Sequence, residues 1–292
     1  SYLGKAHRAA QINAFAPKAA KLRRERHSQD RKARLMVSQE PHFELRLASS
    51  PEDIRAAQRL RYEVFVAELG ADGALVDHEA RLEADRFDPF FDHLMLLDHR
   101  RAVGEQVVGV YRVMQEHGAK AAGQFYSEDE YDLAPLKSSG RRLLELGRSC
   151  VHADYRGGTA LMHLWNGLAD YIVTHEIEIL FGVASLHGTD VAELAAPLSL
   201  LHHRHLAPEG LRPKARAAGY QDMNLIAEDA LERTAATRAL PALIKAYLRL
   251  GGAVGQGAFV DHAFNCTDIC LILDTALMSE KHRALYARGR GI

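Results

Sequence analysis

The order of elements legible in this chain predicts an α/β (α+β) fold. Three observations predict it. Two alternating apolar stretches near residues 93 and 110 are joined by a short glycine-containing turn, as in a hairpin. A strand–glycine–helix–strand unit follows between residues 143 and 185. The composition, 47% hydrophobic and 26% charged over 292 residues, matches an average soluble protein and excludes collagen-like and disordered classes for the bulk of the chain.

Phe43-Glu-Leu-Arg-Leu47 alternates and predicts the first strand. Ser50-Pro51-Glu52-Asp53 then predicts a helix start, with a capping hydroxyl, a proline in the first turn and early acids. That helix is expected to run to about Leu69, with Ile54, Ala57, Leu60, Val64 and Phe65 on one side. Gly70 to Ala84 reads as polar loop. His93–Asp98 and Gln106–Met114 predict the hairpin strands, turned through Arg100-Arg101-Ala-Val-Gly104. Leu143–Val151 predicts a further strand, Arg156-Gly157-Gly158-Thr159 a turn, and the following residues a helix to about His175. Glu178–Ser185 and Ile269–Asp274 predict buried strands; 190–206 and 241–250 predict helices. No run approaches the roughly 20 apolar residues of a membrane span.

The net charge of −1 hides an asymmetry: residues 1–39 carry ten Lys/Arg against two acids, and the remainder 27 against 36. Ala9–Met36 reads as a basic helix. It suits an anionic lipid surface, at about 1 kcal/mol per basic residue, or a solvated helix packed on the body. Few aromatic residues flank the charges, so no nucleic acid is expected as partner. Three cysteines without a Cys-x-x-Cys pair argue for a reducing, cytoplasmic setting. Leu201-His202-His203-Arg204-His205 lacks the spacing of a zinc motif and reads as a polar helix end, so no metal is expected.

Candidate chemistry falls in three places. Glycines after a strand let main-chain N–H groups approach an anion at a helix start, so Arg156, Gly157, Gly158 and Thr159 are a candidate phosphate turn, or an ordinary tight connection. Glu83, Asp85 and Asp88 repel one another unless a cation compensates; they are candidates for a cationic substrate, a hard metal, or plain loop acids. Glu145, amid apolar neighbours, would have its pKa raised by burial and become a usable proton acceptor; the competing reading is a structural ion pair with Arg148 or Arg112. Cys150 as a nucleophile has no motif around it, and Ser185/His187/Asp190 lacks a hydrolase elbow.

Leu60-Arg61-Tyr-Glu-Val-Phe65-Val, Glu83-x-Asp85-x-Phe87-Asp88, Val107-Val-Gly109-Val-Tyr-Arg112 and Glu145-Leu-Gly-Arg148 together resemble the acyl-homoserine-lactone synthase branch of the GNAT acyltransferases. Downstream, Arg156-x-Gly158, Leu164-Trp165-x-Gly167, Phe181-Gly182-Val-Ala-Ser185, Leu240-Pro241-Ala-Leu-Ile-Lys245-Ala-Tyr247-Leu-Arg249-Leu-Gly251 and Asp261-x-x-Phe264-Asn265-x-x-Asp268 resemble the bacterial L-ornithine N-α-acyltransferases. The likeness spans about residues 43–286. It departs from the synthases in having no Trp after the first helix, and from the usual GNAT pyrophosphate motif in placing Tyr155 in the basic slot.

The resemblance implies a GNAT-like acyltransferase fold, a central mixed sheet flanked by helices. It makes 1–40 a basic leader and 41–292 the catalytic domain, with a C-terminal extension from about 187. It implies a cytoplasmic enzyme, peripheral at the inner membrane face through 1–40. Its expected reaction moves a 3-hydroxyacyl chain from the 4'-phosphopantetheine arm of acyl-carrier protein to the α-amine of L-ornithine, forming lyso-ornithine lipid. Another amino acid acceptor, lactone synthesis, or a non-catalytic membrane-binding scaffold are the alternatives. In that scheme Glu145 accepts the proton and main-chain N–H groups of Ser149, Cys150 and Val151 hold the oxyanion. Arg61, Glu83, Asp85, Asp88, Arg112 and Arg148 meet the amino acid, or the acids order their loop by pairing with Arg61 and Arg112, and Arg156 with Gly157–Thr159 takes the arm's phosphate. The acyl chain is expected between the 107–113 strand and the Trp165 helix. Arg141, Arg142, Arg212, Lys214 and Arg216 are candidate carrier-protein contacts.

Overall fold

The computed structural model describes residues 41–277; the basic leader expected at 1–40 lies outside the described residues. The elements that build the sheet are β1 (Phe43–Leu47), β2 (Asp92–Asp98), β3 (Val107–Gln115), β4 (Tyr131–Asp132), β5 (Leu143–Val151), β6 (Ile179–His187), β7 (Lys214–Ala215), β8 (Tyr220–Gln221), β9 (Ala253–Val254), β10 (Ala258–Asp261) and β11 (Cys266–Asp274). The helices are α1 (Pro51–Arg61), α2 (Glu116–Ala122), α3 (Ala134–Lys137), α4 (Ala160–Thr174), α5 (Ala195–His205), α6 (Arg233–Ala239) and α7 (Ala242–Arg249). Nine strands form one sheet in the order β1-β2-β3-β5-β6-β11-β10-β8, with β9 also on β11; β4 and β7 pair separately.

The ladder is antiparallel except between β5 and β6. Those two run parallel and pair only through Leu143↔Ile179, Leu144↔Leu180 and Glu145↔Phe181. Beyond Glu145 they have no further rungs, so the sheet opens into a cleft. At its apex Gly182 approaches the Leu146 carbonyl so closely that a Cβ would lie 2.3 Å from that oxygen.

Alternation along the strands sends side chains to two apolar layers. Leu94, Leu96, Val108, Leu144, Ile269 and Leu271 meet α4 to α7 on one face. Met114, Leu143, Phe181 and Ile272 pack with Phe87, Phe125 and Leu136 on the other. α1 covers that second face further along, over Met95, Val110 and Cys150. Leu164 of α4 is fully buried, and its Cδ1 lies 2.8 Å from where a Gly109 Cβ would stand. The expected acyl slot between β3 and α4 is therefore filled by packing.

The expected elements occur, with shifted ends. The helix predicted for 190–206 begins only at Ala195, and the strand predicted for 269–274 starts at Cys266. The first helix continues past Arg61 as a π-helical stretch, Tyr62–Glu68. α2, α3, α6 and the short strands of the second half carry too few apolar repeats to show as periodic segments.

Candidate active site

Three arginines and three acids converge where α1, the 83–88 loop, β3 and β5 meet. α1 is started by Ser50, whose Oγ accepts from the Asp53 N–H at 3.1 Å, with Pro51 in its first turn. It delivers Arg61, fully buried, at its C-terminal end. Arg61 Nε lies 2.5 Å from Glu83 Oε2 and its Nη1 2.6 Å from Asp88 Oδ1. Arg112 of β3 reaches Asp85 Oδ1 at 2.8 Å and Asp88 Oδ1 at 2.7 Å, with its guanidinium 4.0 Å above the Phe91 ring. Arg148 closes the set through Glu83 at 3.2 Å and Asp85 at 3.3 Å.

Arg148 arrives there because β5 bulges. Gly147 pairs with Arg112 and Cys150 with Val110, so two residues of β5 oppose Tyr111 alone. Arg148 itself sits at φ +51°, a left-handed conformation that costs a non-glycine residue about 1–2 kcal/mol. The bulge re-aims its guanidinium at the acidic loop and at Tyr126, whose hydroxyl accepts from Nη1 at 3.4 Å.

Charge balances within this group: three guanidiniums face three carboxylates. Burial opposes ionisation of Asp88, but Arg61 and Arg112 outweigh it and hold its carboxyl well below the usual range. Asp85 is likewise lowered, Arg112 and Arg148 overcoming its burial. His93, kept neutral by burial, touches the Asp88 carbonyl at 3.1 Å. The acids are thus engaged by the protein's own cations. Arg148 is the most exposed of the three arginines, at 24% of its side chain.

Glu145 is buried at the last rung before β5 and β6 part. It makes no ion pair with Arg112 or Arg148, against that sequence reading. Instead Oε1 accepts from Ser127 N at 2.7 Å and Ser127 Oγ at 2.6 Å, and Oε2 from Tyr126 N at 2.8 Å. The short helix Tyr126–Asp129, invisible to apolar periodicity, starts on this carboxylate. Burial pushes Glu145 up to about 7 against the lowering effect of those donors. A carboxyl so poised is half ionised near neutrality, the range suited to general base catalysis.

Ser149, Cys150 and Val151 lie on the parted stretch of β5, where no rungs join β6. The Cys150 thiol is pushed up to about 12 by burial, so it is protonated and no nucleophile. The turn Arg156–Thr159 leads into α4 and, with Pro41, Phe43 and Tyr155, lines a cavity of about 250 Å³. Gly157 takes φ +78° there, which favours glycine. Arg156 folds back instead, Nε donating to Val151 O at 2.9 Å and Nη1 to Glu68 at 2.8 Å. Tyr155 donates to Asp98 at 2.7 Å.

The expected carrier-protein cations do not gather round this turn. Arg141 pairs with Asp274 at 2.6 Å and Arg142 with Glu176. Both precede β5, whereas the turn follows it, roughly 30 Å away at 3.3 Å per residue. Arg212 and Arg216 donate to the carbonyls of Ala207 and Glu128.

The chain is 61% identical over 254 residues to an L-ornithine N(alpha)-acyltransferase of Rhodobacter capsulatus, covering 85% of this chain and 97% of that protein. The chain belongs to the L-ornithine N(alpha)-acyltransferase family. A Brucella abortus enzyme of the same name is 42% identical over 84% of this chain and 88% of its own length. The acetyltransferase (GNAT) domain matches residues 60–166, the span that holds the arginine–acid group, Glu145 and the 156–159 turn. Among solved structures the acyltransferase is similar to the acyl-homoserine-lactone synthase LasI, with a TM-score of 0.45, 15% identity, and coverage of 85% of this chain and 96% of that one. It is an acyltransferase of GNAT fold, with a large mixed sheet flanked by helices. Among the described residues no helix is long and apolar enough to cross a membrane.

Proposed function

We propose that this acyltransferase moves a 3-hydroxyacyl chain from acyl-carrier protein to the α-amine of L-ornithine, giving lyso-ornithine lipid. The observation that carries the reading is the 61% identity to a protein named L-ornithine N(alpha)-acyltransferase over 97% of that relative's length. The reaction needs a free amine, yet an α-ammonium of pKa about 7.7–8.0 is mostly protonated at neutrality. Glu145 takes that proton, through water, by the lone pair left on Oε2. The amine nitrogen then attacks the thioester carbonyl and forms a tetrahedral oxyanion, received by main-chain N–H groups of 149–151. Collapse breaks the C–S bond; the thiolate leaves on the pantetheine arm and takes up a proton as the amide nitrogen loses its second one. Acid–base help of this kind is worth about 10²–10⁴-fold.

The arginine–acid group shapes the acceptor side. Asp85, Asp88 and Glu83 fix the loop through Arg61 and Arg112, and Arg148, the more exposed member, meets the amino-acid carboxylate. The cavity at 156–159 takes the single phosphate of the 4'-phosphopantetheine arm at the start of α4, with Arg156 exchanging Glu68 for it. The lipid product gives the basic leader an anionic membrane surface to meet.

The test is acylation of a panel of amino acids by purified protein with 3-hydroxyacyl-carrier protein, read by mass spectrometry. The expected product is mono-acylated ornithine bearing its acyl group on the α-nitrogen. Preferential acylation of glutamine or glycine, or release of a lactone, would replace this reading.

A further inference from the structure

A second group of acids, on β11 and just before β4, has no cation. Asp268 is buried, at 5% exposure, and its Oδ1 has no hydrogen-bond partner; nor does the buried Oε2 of Glu130. The two carboxyl groups face each other, with the hydroxyl of Ser185 and the thiol of Cys266 beside Asp268 and the carboxylate of Asp261 nearby. Among the described residues no Lys, Arg or His forms an ion pair with Glu130, Asp261 or Asp268, in contrast to the 83–88 loop. Burial and Asp268 push Glu130 up to about 9, and burial raises Asp268. Near neutrality Glu130 is therefore protonated and hydrogen-bonds Asp268, which Ser185 and Cys266 also contact; one buried oxygen of each acid stays without a partner, and an incoming ammonium would take the place of the shared proton.

The surroundings are built to hold it in shape. Tyr131, fully buried, donates to the Asp268 carbonyl at 3.0 Å and the Gly257 carbonyl at 2.9 Å. The Glu130 carbonyl accepts from the Arg216 N–H at 2.7 Å. Ser185, beside Asp268, is exposed on the part of β6 that has left β5. The Cys270 thiol feels both Glu145 and Glu130, which places the acids on the same sheet face as Glu145.

We propose that Glu130 and Asp268 seat the side-chain ammonium of a diamino acid acceptor and so choose it over amino acids with uncharged side chains. The inference rests on ornithine as the acceptor. Ornithine carries its second ammonium three methylenes from the α-carbon, and Cys270 lies within electrostatic range of both Glu145 and Glu130.

The experiment compares L-ornithine with L-norvaline, which has the same five-carbon chain and lacks the second amine. It uses the full chain and the variants Glu130→Gln, Asp268→Asn and Ser185→Lys. Hydrogen bonds to charged groups contribute about 1.5–3 kcal/mol, so each acid variant should raise KM for ornithine about 10- to 100-fold. kcat should change little, and kcat/KM for norvaline should stay level. Ser185→Lys supplies a tethered ammonium: it should raise Tm and weaken ornithine, leaving norvaline unaffected. Equal losses for both amino acids, or an unchanged KM for ornithine in all three variants, would overturn the inference. Failure of the unmodified protein to acylate ornithine at all would instead remove the functional reading beneath it.

Discussion

Asp88→Asn tests the arginine–acid group most directly. Oδ1 of Asp88 is shared by Arg61 and Arg112 at 2.6 and 2.7 Å, and Oδ2 accepts from Gln58 at 2.9 Å. Asparagine keeps the shape but leaves three buried or half-buried guanidiniums against two carboxylates. Removing one partner of a buried ion pair costs about 3–5 kcal/mol. Arg61 keeps Glu83 and Arg112 keeps Asp85, so the low end, about 3 kcal/mol, applies, a large share of the 5–15 kcal/mol that holds a typical domain folded. The sign with pH follows from the lowered folded-state pKa of Asp88. Its contribution is complete above the unfolded value near 3.9 and shrinks as pH falls below that toward the folded value. Urea unfolding followed through the single tryptophan, Trp165, should therefore show a gap between the two proteins that is flat above about pH 5 and narrows below about pH 4. A gap under about 1 kcal/mol at pH 7, the size typical of exposed pairs, would refute the reasoning. So would a gap that widens in acid.

Two further outcomes are expected. Glu145→Gln should lower kcat at neutral pH by about 10²-fold or more. It should also abolish the rise in rate through pH 7 that follows from deprotonating a group near 7; a mutant pH–rate profile with the same limb would take the proton-accepting role away from Glu145. Gly182→Ala forces a Cβ against the Leu146 carbonyl at 2.3 Å, so it should cost at least the 1–3 kcal/mol of ordinary overpacking, read as a fall in Tm. An unchanged Tm would mean that β5 and β6 can part there freely.

Local signals carried much of the fold. Ser50-Pro51 announced α1 because capping is decided within a few residues, and the 100–104 turn announced the hairpin for the same reason. The acids at 83–88 were legible as a group needing cations. Two of those cations, Arg61 and Arg112, were legible as well, through the family resemblance. Arg148's contribution was not, because it depends on a bulge that moves one side chain without changing the strand's alternating pattern. Glu145 shows the same limit: its apolar neighbours foretold burial, yet its donors come from the start of the short helix Tyr126–Asp129, which has no periodicity. Nor could Glu130 and Asp268 be paired by eye, because β4 and β11 are brought together by the packing of everything between them.

The three rungs joining β5 to β6 divide the sheet into two ladders, each made from one uninterrupted run of chain. Residues 43–151 form the first and 179–274 the second, so each can assemble from neighbours in sequence before the seam between them closes. The GNAT domain match ends at residue 166, ahead of the second ladder. Substitutions on β6, β10 and β11 can accordingly reshape one jaw of the cleft while the loop-clamping arginines and the 156–159 turn of the other stay as they are. With the acceptor seated as proposed, a lineage built on this plan can change what it acylates by rewriting its later half.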